Sequence, residues 1–138
     1  MRIGLSSSLK HDTPSQWAEK MKELGCGAVV FPVDYTAPEE LIEAYAGAAK
    51  KAGLVIAEVG AWCNPVAPAE TERRAAMERC IGQLKLADKI GANCCVNIAG
   101  STGSRWDGAY KENFSEEHWE KTVKSIREII DAAAPVNT

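Results

Sequence analysis

Apolar positions along this chain repeat one motif four times: a short apolar run, then a stripe at helical spacing. In three of the four, a glycine follows and opens the next run. The first run is Arg2-Ile3-Gly4-Leu5. Thr13-Pro14-Ser15-Gln16 then reads as a helix start, with Thr13 as N-cap, Pro14 at the first helical position and Gln16 placed to close a capping box. Trp17, Met21 and Leu24 share one face of that helix, and Gly25 supplies a left-handed stop. The second run, Ala28-Val29-Val30-Phe31, suits a buried strand. A Thr-x-x-Glu cap at Thr36-Ala37-Pro38-Glu39 predicts the second helix, with Leu41, Ile42, Tyr45, Ala48, Ala49 and Ala52 inward and Gly53 at its end. The third run is Leu54-Val55-Ile56-Ala57-Glu58-Val59. A longer helix follows Pro68, carrying Met77, Ile81, Leu84, Ala87 and Ile90 on one side before Gly91. The fourth run, Cys94-Cys95-Val96-Asn97-Ile98-Ala99, leads into a Gly-Ser-Thr loop. Ser115 caps a last helix whose stripe is Trp119, Val123, Ile126, Ile129 and Ile130. The order is βαβαβαβα. Nearly continuous apolar strands joined by helices predict an α/β fold with a parallel sheet covered by helices. With no linker in sight, residues 1–138 are expected to form a single domain.

Composition narrows the function classes. Sixteen Lys and Arg against nineteen Asp and Glu leave a net charge of -3, which argues against a nucleic-acid partner, since phosphate neutralisation needs a basic excess. No apolar run reaches the roughly 18 residues of a membrane span, and Met1-Arg2-Ile3-Gly4 leads directly into patterned sequence. A cytoplasmic protein with no membrane partner is the expectation. The five cysteines form no CxxC pair and sit mostly in apolar segments, as reduced thiols acting as small hydrophobes do. With only His11 and His118 available, no zinc-finger ligand spacing can be assembled.

Two architectures compete for this element order, an open doubly wound sheet and a barrel. A dinucleotide-binding unit would place GxGxxG after the first strand, where this chain has Ser6-Ser7-Ser8-Leu9-Lys10. The barrel gains from polar residues late in apolar strands. Alternation puts Ile56, Glu58 and Gly60 on one face of the third strand, and Cys95, Asn97 and Ala99 on one face of the fourth. Barrel side chains at carboxyl strand ends point at the active site, so Glu58 and Asn97 are site candidates there and otherwise satisfied polar residues at strand ends.

The sequence resembles the xylose isomerase-like TIM barrels, which include sugar phosphate isomerases and epimerases. The resemblance is carried by Arg2-Ile3-Gly4-Leu5-Ser6, by Ala57-Glu58-Val59-Gly60-Ala61-Trp62-Cys63-Asn64-Pro65 and by Ala87-Asp88-Lys89-Ile90-Gly91-Ala92-Asn93-Cys94-Cys95-Val96. Gly100-Ser101, Trp106 and Asn113-Phe114-Ser115 add to it. It implies a parallel (β/α)4 half of a TIM barrel, because a full barrel needs about 250 residues. It implies too that the complete barrel moves a proton beside a sugar carbonyl through a metal-stabilised enediolate. The divalent metal, of the Mn, Mg or Co type, would be held by acidic and His residues of strands five to eight. The matching stretch ends before those strands, so this chain is expected to carry no metal ligands and to be inactive by itself. The partner is then a small sugar or sugar phosphate, together with a second copy of the chain or the other half of the barrel. A non-catalytic half-barrel that self-associates or binds a small polyol is the alternative. An endonuclease acting at abasic sites is poorly served by two histidines.

The resemblance and the strand-end positions together select the candidates. Glu58 is the candidate base. Ser6, Asp34, Trp62, Asn97, Ser101 and Trp106 are the candidate substrate contacts, the tryptophans as walls for the apolar face of a sugar and the rest for its hydroxyls. Each has a plainer role open to it: a loop anchor for the tryptophans, a turn or cap for Asp34, a surface loop for Ser101. Trp17 and Trp119 belong to the predicted core. His118 is expected at the surface, and Glu70-Thr71-Glu72-Arg73-Arg74 reads as a solvated helix start.

Overall fold

In the computed structural model, which describes residues 2–5 and 9–138, the chain is built as β1 (Gly4–Leu5), α1 (Pro14–Glu23), β2 (Ala28–Val30), α2 (Glu39–Lys51), β3 (Val55–Ala61), α3 (Glu70–Ile90), β4 (Cys95–Asn97) and α4 (Glu116–Ala133), with a 3-10 turn at Lys111–Phe114 before α4. The strands lie in the order β1-β2-β3-β4 and every pairing is parallel. Because the order never reverses, the sheet is one arc of a barrel wall and not a doubly wound layer. Four strands and four helices make an α/β half-barrel. Ser6 lies outside the described residues.

Three joints between helix and strand are built alike. Gly25, Gly53 and Gly91 take φ of +76°, +68° and +67°. The next residue in each case donates its N–H five residues back, Cys26 to Met21, Leu54 to Ala49 and Ala92 to Ala87, at 2.9–3.0 Å. This is the Schellman stop, which needs a residue free to turn left-handed. After α4 the left-handed residue is Ala134 at φ +48°, whose own N–H returns to Ile130 O at 2.7 Å, because Pro135 has no N–H to donate. There the carboxylate of Asp88 accepts the N–H groups of Val136, Asn137 and Thr138, which hold its pKa below the ordinary aspartate range.

The core lies between sheet and helices, around Trp17, Met21, Val29, Ile42, Tyr45, Val59 and Leu86. Tyr45 meets the rings of Trp17 and Phe31 edge-on and bonds through its hydroxyl to His11 Nε2.

Several expectations need correction. The second helix starts at Glu39 without a side-chain cap, because Thr36 instead donates its N–H and hydroxyl to Asp34. The proline at position 38 keeps the preceding residue out of the helix. At α1, Thr13 accepts from the Gln16 N–H as predicted, but the Gln16 side chain reaches the N–H of Asp12 and not that of Thr13. On β3, Ile56 and Val59 are buried in the same cluster, which strict alternation forbids. The cause is a register shift: Val29 pairs Ile56 while Val30 pairs Glu58, so Ala57 is an extra residue.

The largest correction is α4. It buries His118, Thr122, Ser125 and Ile129, and exposes Trp119 (63%), Ile126 and Ile130. His118, predicted at the surface, is 8% exposed. The helix has turned its polar stripe toward α3 and the loop after β3, where Ser125 Oγ reaches Pro65 O at 3.5 Å. Of its apolar stripe Ile129 is buried, while Ile126 and Ile130 stand partly outward beside the open edge of β4.

Candidate functional site

Barrel chemistry belongs at the carboxyl ends of the strands. Two adjoining clefts open there. The larger, about 440 Å³, is lined by Trp62, Cys63, Asn64, Glu72, Arg79 and Trp106 among others. The smaller, about 190 Å³, lies between Asp34 and Trp62 over Gly60, with Arg79 and Gln83 beneath. A wider groove of about 580 Å³ runs between α2 and α3 at the opposite end, where Val55 begins β3 and Asn93 precedes β4.

Each wall follows from local chemistry. Trp62, the residue after β3, lays its indole across Gly60. A Cβ at position 60 would stand 2.2 Å from Trp62 Nε1, so the glycine makes room for the ring. Trp62 is 55% exposed and Trp106, from the loop after β4, is 41% exposed. Two large aromatic faces left half open in one cleft are surfaces on which a flat apolar face can stack.

Arg79 links the two clefts. Its Nη1 meets Asp34 Oδ2 at 2.6 Å, with both side chains partly open to solvent. Asp34 Oδ1 accepts from both the N–H and the hydroxyl of Thr36. Asp34 thus serves as turn residue and as ion partner at once.

Below the rim sits Gln83, 4% exposed. Its Oε1 accepts from Tyr35 N at 3.0 Å and its Nε2 donates to Gly60 O at 2.8 Å, tying the loop after β2 to the end of β3. Neighbouring Gly82 gives passage to the Tyr35 ring, since a Cβ there would lie 2.3 Å from Tyr35 Cδ2.

Asn64 does the equivalent work for the next loop. Its Nδ2 donates to Ser101 O at 2.7 Å, and its Oδ1 accepts from Ser101 N and Val66 N at 3.1 and 3.3 Å. Gly100, at φ +88°, passes so close that a Cβ would stand 2.3 Å from Asn64 Oδ1.

Of the candidates read from sequence, the structure brings Trp62, Trp106 and Asp34 together around Arg79. Glu58 lies on β3 two residues before Gly60, half-buried and outside the lining of both clefts. Ser101 is 1% exposed, its hydroxyl shared with Asn113 Oδ1 and the N–H of Gly103, so it fastens the loop from within. Asn97 faces α3, where its Oδ1 accepts from Cys80 Sγ at 3.1 Å. The residues that hydropathy missed are Arg79, Gln83 and Asn64. Arg79 and Gln83 sit off the predicted stripe of α3, while the Asn-Pro step after Trp62 was the visible trace of a structured turn.

Among the described residues no three His, Cys, Asp or Glu side chains converge to hold a metal ion. The described residues do not present the donor set that a divalent metal would need. Glu70 lies at the solvated start of α3, where Arg73 and Arg74 hold its pKa down to about 2. Among the described residues no helix is long and apolar enough to cross a membrane.

A family model described as xylose isomerase-like TIM barrel matches residues 18–137. No curated protein matches the sequence significantly. Among solved structures, the chain is similar to a protein assigned as a xylose isomerase from Rhodospirillum rubrum, with a TM-score of 0.73 and 17% identity over 97% of this chain and 50% of that one. It is similar to the 3-keto-D-glucoside 4-epimerase of E. coli, with a TM-score of 0.70 and 16% identity over 99% of this chain and 54% of the other. A D-psicose 3-epimerase from Clostridium cellulolyticum, solved with D-tagatose, gives a TM-score of 0.66 and 20% identity over 97% and 49%. The chain spans about half the length of each.

Proposed function

Because the chain belongs to the xylose isomerase-like TIM barrel family, we propose that it forms the sugar-binding wall of an isomerase- or epimerase-like barrel. One observation carries the reading: Trp62 and Trp106, both half open, line a single cleft with Arg79 at the carboxyl ends of the strands. The indoles take the C–H face of a sugar or sugar phosphate, while Arg79 and Asp34 take its hydroxyls. Glu58, on β3 two residues before Gly60, is the proton-handling carboxylate of this half. The reaction of the complete barrel is removal of the proton beside a carbonyl and its return to the neighbouring carbon or the opposite face. Its second carboxylate and any metal ligands come from the other half, so the chain alone is expected to bind sugar without converting it. A cytoplasmic setting goes with this function, with the five cysteines present as free thiols at rest.

Tryptophan fluorescence tests the binding step. D-tagatose is expected to give a saturable change that weakens about tenfold in Trp106→Ala, the loss of one stacking face. A flat titration of the unaltered chain, or an unchanged affinity in the variant, refutes the sugar cleft.

A second reading, a half-barrel that pairs with its own copy, is favoured by α4. Ile126, Ile129 and Ile130 line an apolar cleft of about 390 Å³ beside Cys95 and Asn97 of β4. An open strand edge next to such a face is a ready place for another chain to dock. Light scattering is expected to give twice the 14.9 kDa chain mass, and Ile130→Glu to return it to the monomer. A monomer at every concentration removes self-association and leaves a separate barrel half as the partner.

A further inference from the structure

The cleft floor holds a pair of thiols that the sugar reading does not use. Cys63, half-buried, follows Trp62 and lines the larger cleft. Its Sγ lies 3.4 Å from the Sγ of Cys80, a residue of α3 that is sealed in the core. We propose that Cys63 and Cys80 are an oxidisable dithiol, a modification site that a hydroperoxide converts into a disulfide at the base of the Trp62–Trp106 cleft.

The two sulfurs are unequal in the way such chemistry requires. Cys63 opens toward the cleft and can meet a small oxidant; Cys80 cannot. The Cys80 thiol beside Cys63 favours the Cys63 thiolate against the opposing effect of burial, and the Arg79 charge adds to it. The Cys80 thiol is pushed up by that same contact and by burial. Thiolate character and access decide which cysteine reacts first. Cys63 is the attacking sulfur and Cys80 the resolving one.

In the first step the Cys63 thiolate attacks the terminal oxygen of the hydroperoxide. An S–O bond forms, the O–O bond breaks, and the departing oxygen takes a proton to leave as alcohol or water. In the second, Cys80 sulfur attacks the sulfur of the Cys63 sulfenic acid. The S–S bond forms, the S–O bond breaks, and the Cys80 proton leaves with the hydroxide as water. Two thiols are oxidised by two electrons and one peroxide is reduced. Closure asks the sulfurs to approach from 3.4 Å to about 2.05 Å. It draws Cys80 Sγ from Asn97 Oδ1 and Cys63 Sγ from the carbonyl oxygen of Ala76. The loop after β3 becomes covalently tied to α3 directly under Trp62. The thiol chemistry stands independently of the sugar reading; only its consequence for ligand binding rests on it.

The test treats the full chain with one equivalent of hydrogen peroxide. Free thiols counted after denaturation are expected to fall from five to three, and non-reducing peptide mapping to show Cys63 joined to Cys80. Cys94→Ser, which removes the exposed thiol, is expected to leave that cross-link intact. Cys63→Ser is expected to abolish it. In Cys80→Ala, Cys63 stops at the sulfenic acid and is trapped by dimedone. Five surviving thiols, or a cross-link running through Cys94 between two chains, overturns the proposal. Should the dithiol close while D-tagatose gives no response, the modification site stands and the sugar reading fails.

Discussion

Replacing Asn64 with alanine is expected to lower stability by about 3 kcal/mol. The substitution deletes three hydrogen bonds at once, and two of the stranded partners are the N–H and carbonyl of Ser101, a residue 1% exposed. A buried backbone group left without a partner costs about 1–3 kcal/mol, and the loop offers no second donor or acceptor in their place. For a chain of this length that corresponds to a fall of about 10 °C in Tm. The effect reaches the cleft, because Asn64 is what joins the loop bearing Trp62 to the loop bearing Trp106. Thermal unfolding of Asn64→Ala, with tryptophan fluorescence of the native state, measures both. A midpoint within about 2 °C of the unaltered chain means the clamp is ornamental. Asn64→Asp keeps the acceptor but sets a carboxylate against Ser101 O, and is expected to recover only part of the loss.

The fold was legible in the sequence because its joints are chemical. A glycine is needed where each helix turns into the next strand, and Gly25, Gly53 and Gly91 announced three such turns. The apolar runs that follow them have no polar face, which only a sheet covered on a long stretch of its surface tolerates. Periodicity served less well where burial is set by a neighbour. On α4 the hydrophobic stripe is real, yet among the described residues only Ile129 of it is buried. The helix lodges His118 and Thr122 against its neighbours and leaves Trp119 outside. His118 Nδ1 and Thr122 Oγ1 end with no hydrogen-bond partner, a cost that apolar side chains there would avoid. On β3, one extra residue at Ala57 inverted the faces, a slip that alternation rules cannot foresee.

The candidate site was legible only in its aromatic part. Trp62 and Trp106 stood in loops after strands, where any barrel reading would place its walls. Arg79 was hidden because a charged residue on a long helix reads as solvated. It acquires its role from Asp34, far away in sequence, and from the tilt that brings α3 under the ends of β2 and β3. Ser101 and Asn97 were plausible by position but are spent on structure: one fastens a loop from inside, the other accepts from Cys80. Position along a strand selects which end a residue occupies, and only packing decides which side it serves.

Gln83 shows how much of this site depends on a single polar residue in an apolar helix face. Gln83→Leu is expected to cost about 2 to 4 kcal/mol even though leucine fits the volume and raises helix propensity. The amide satisfies two backbone groups, the N–H of Tyr35 and the carbonyl of Gly60. Leucine would bury both unpaired. The loop after β2 would then be free to leave β3, carrying Asp34 away from Arg79, so D-tagatose affinity is expected to fall alongside Tm. Gln83→Glu separates the two effects. It keeps the acceptor for Tyr35 but opposes Gly60 O with a second oxygen, so its cost is expected to ease as pH falls and the carboxyl gains a proton able to donate to Gly60. Thermal scans of Gln83→Leu and Gln83→Glu across that acidic range decide the point. Equal stability of both variants with the unaltered chain means the loop after β2 is held by its apolar contacts alone.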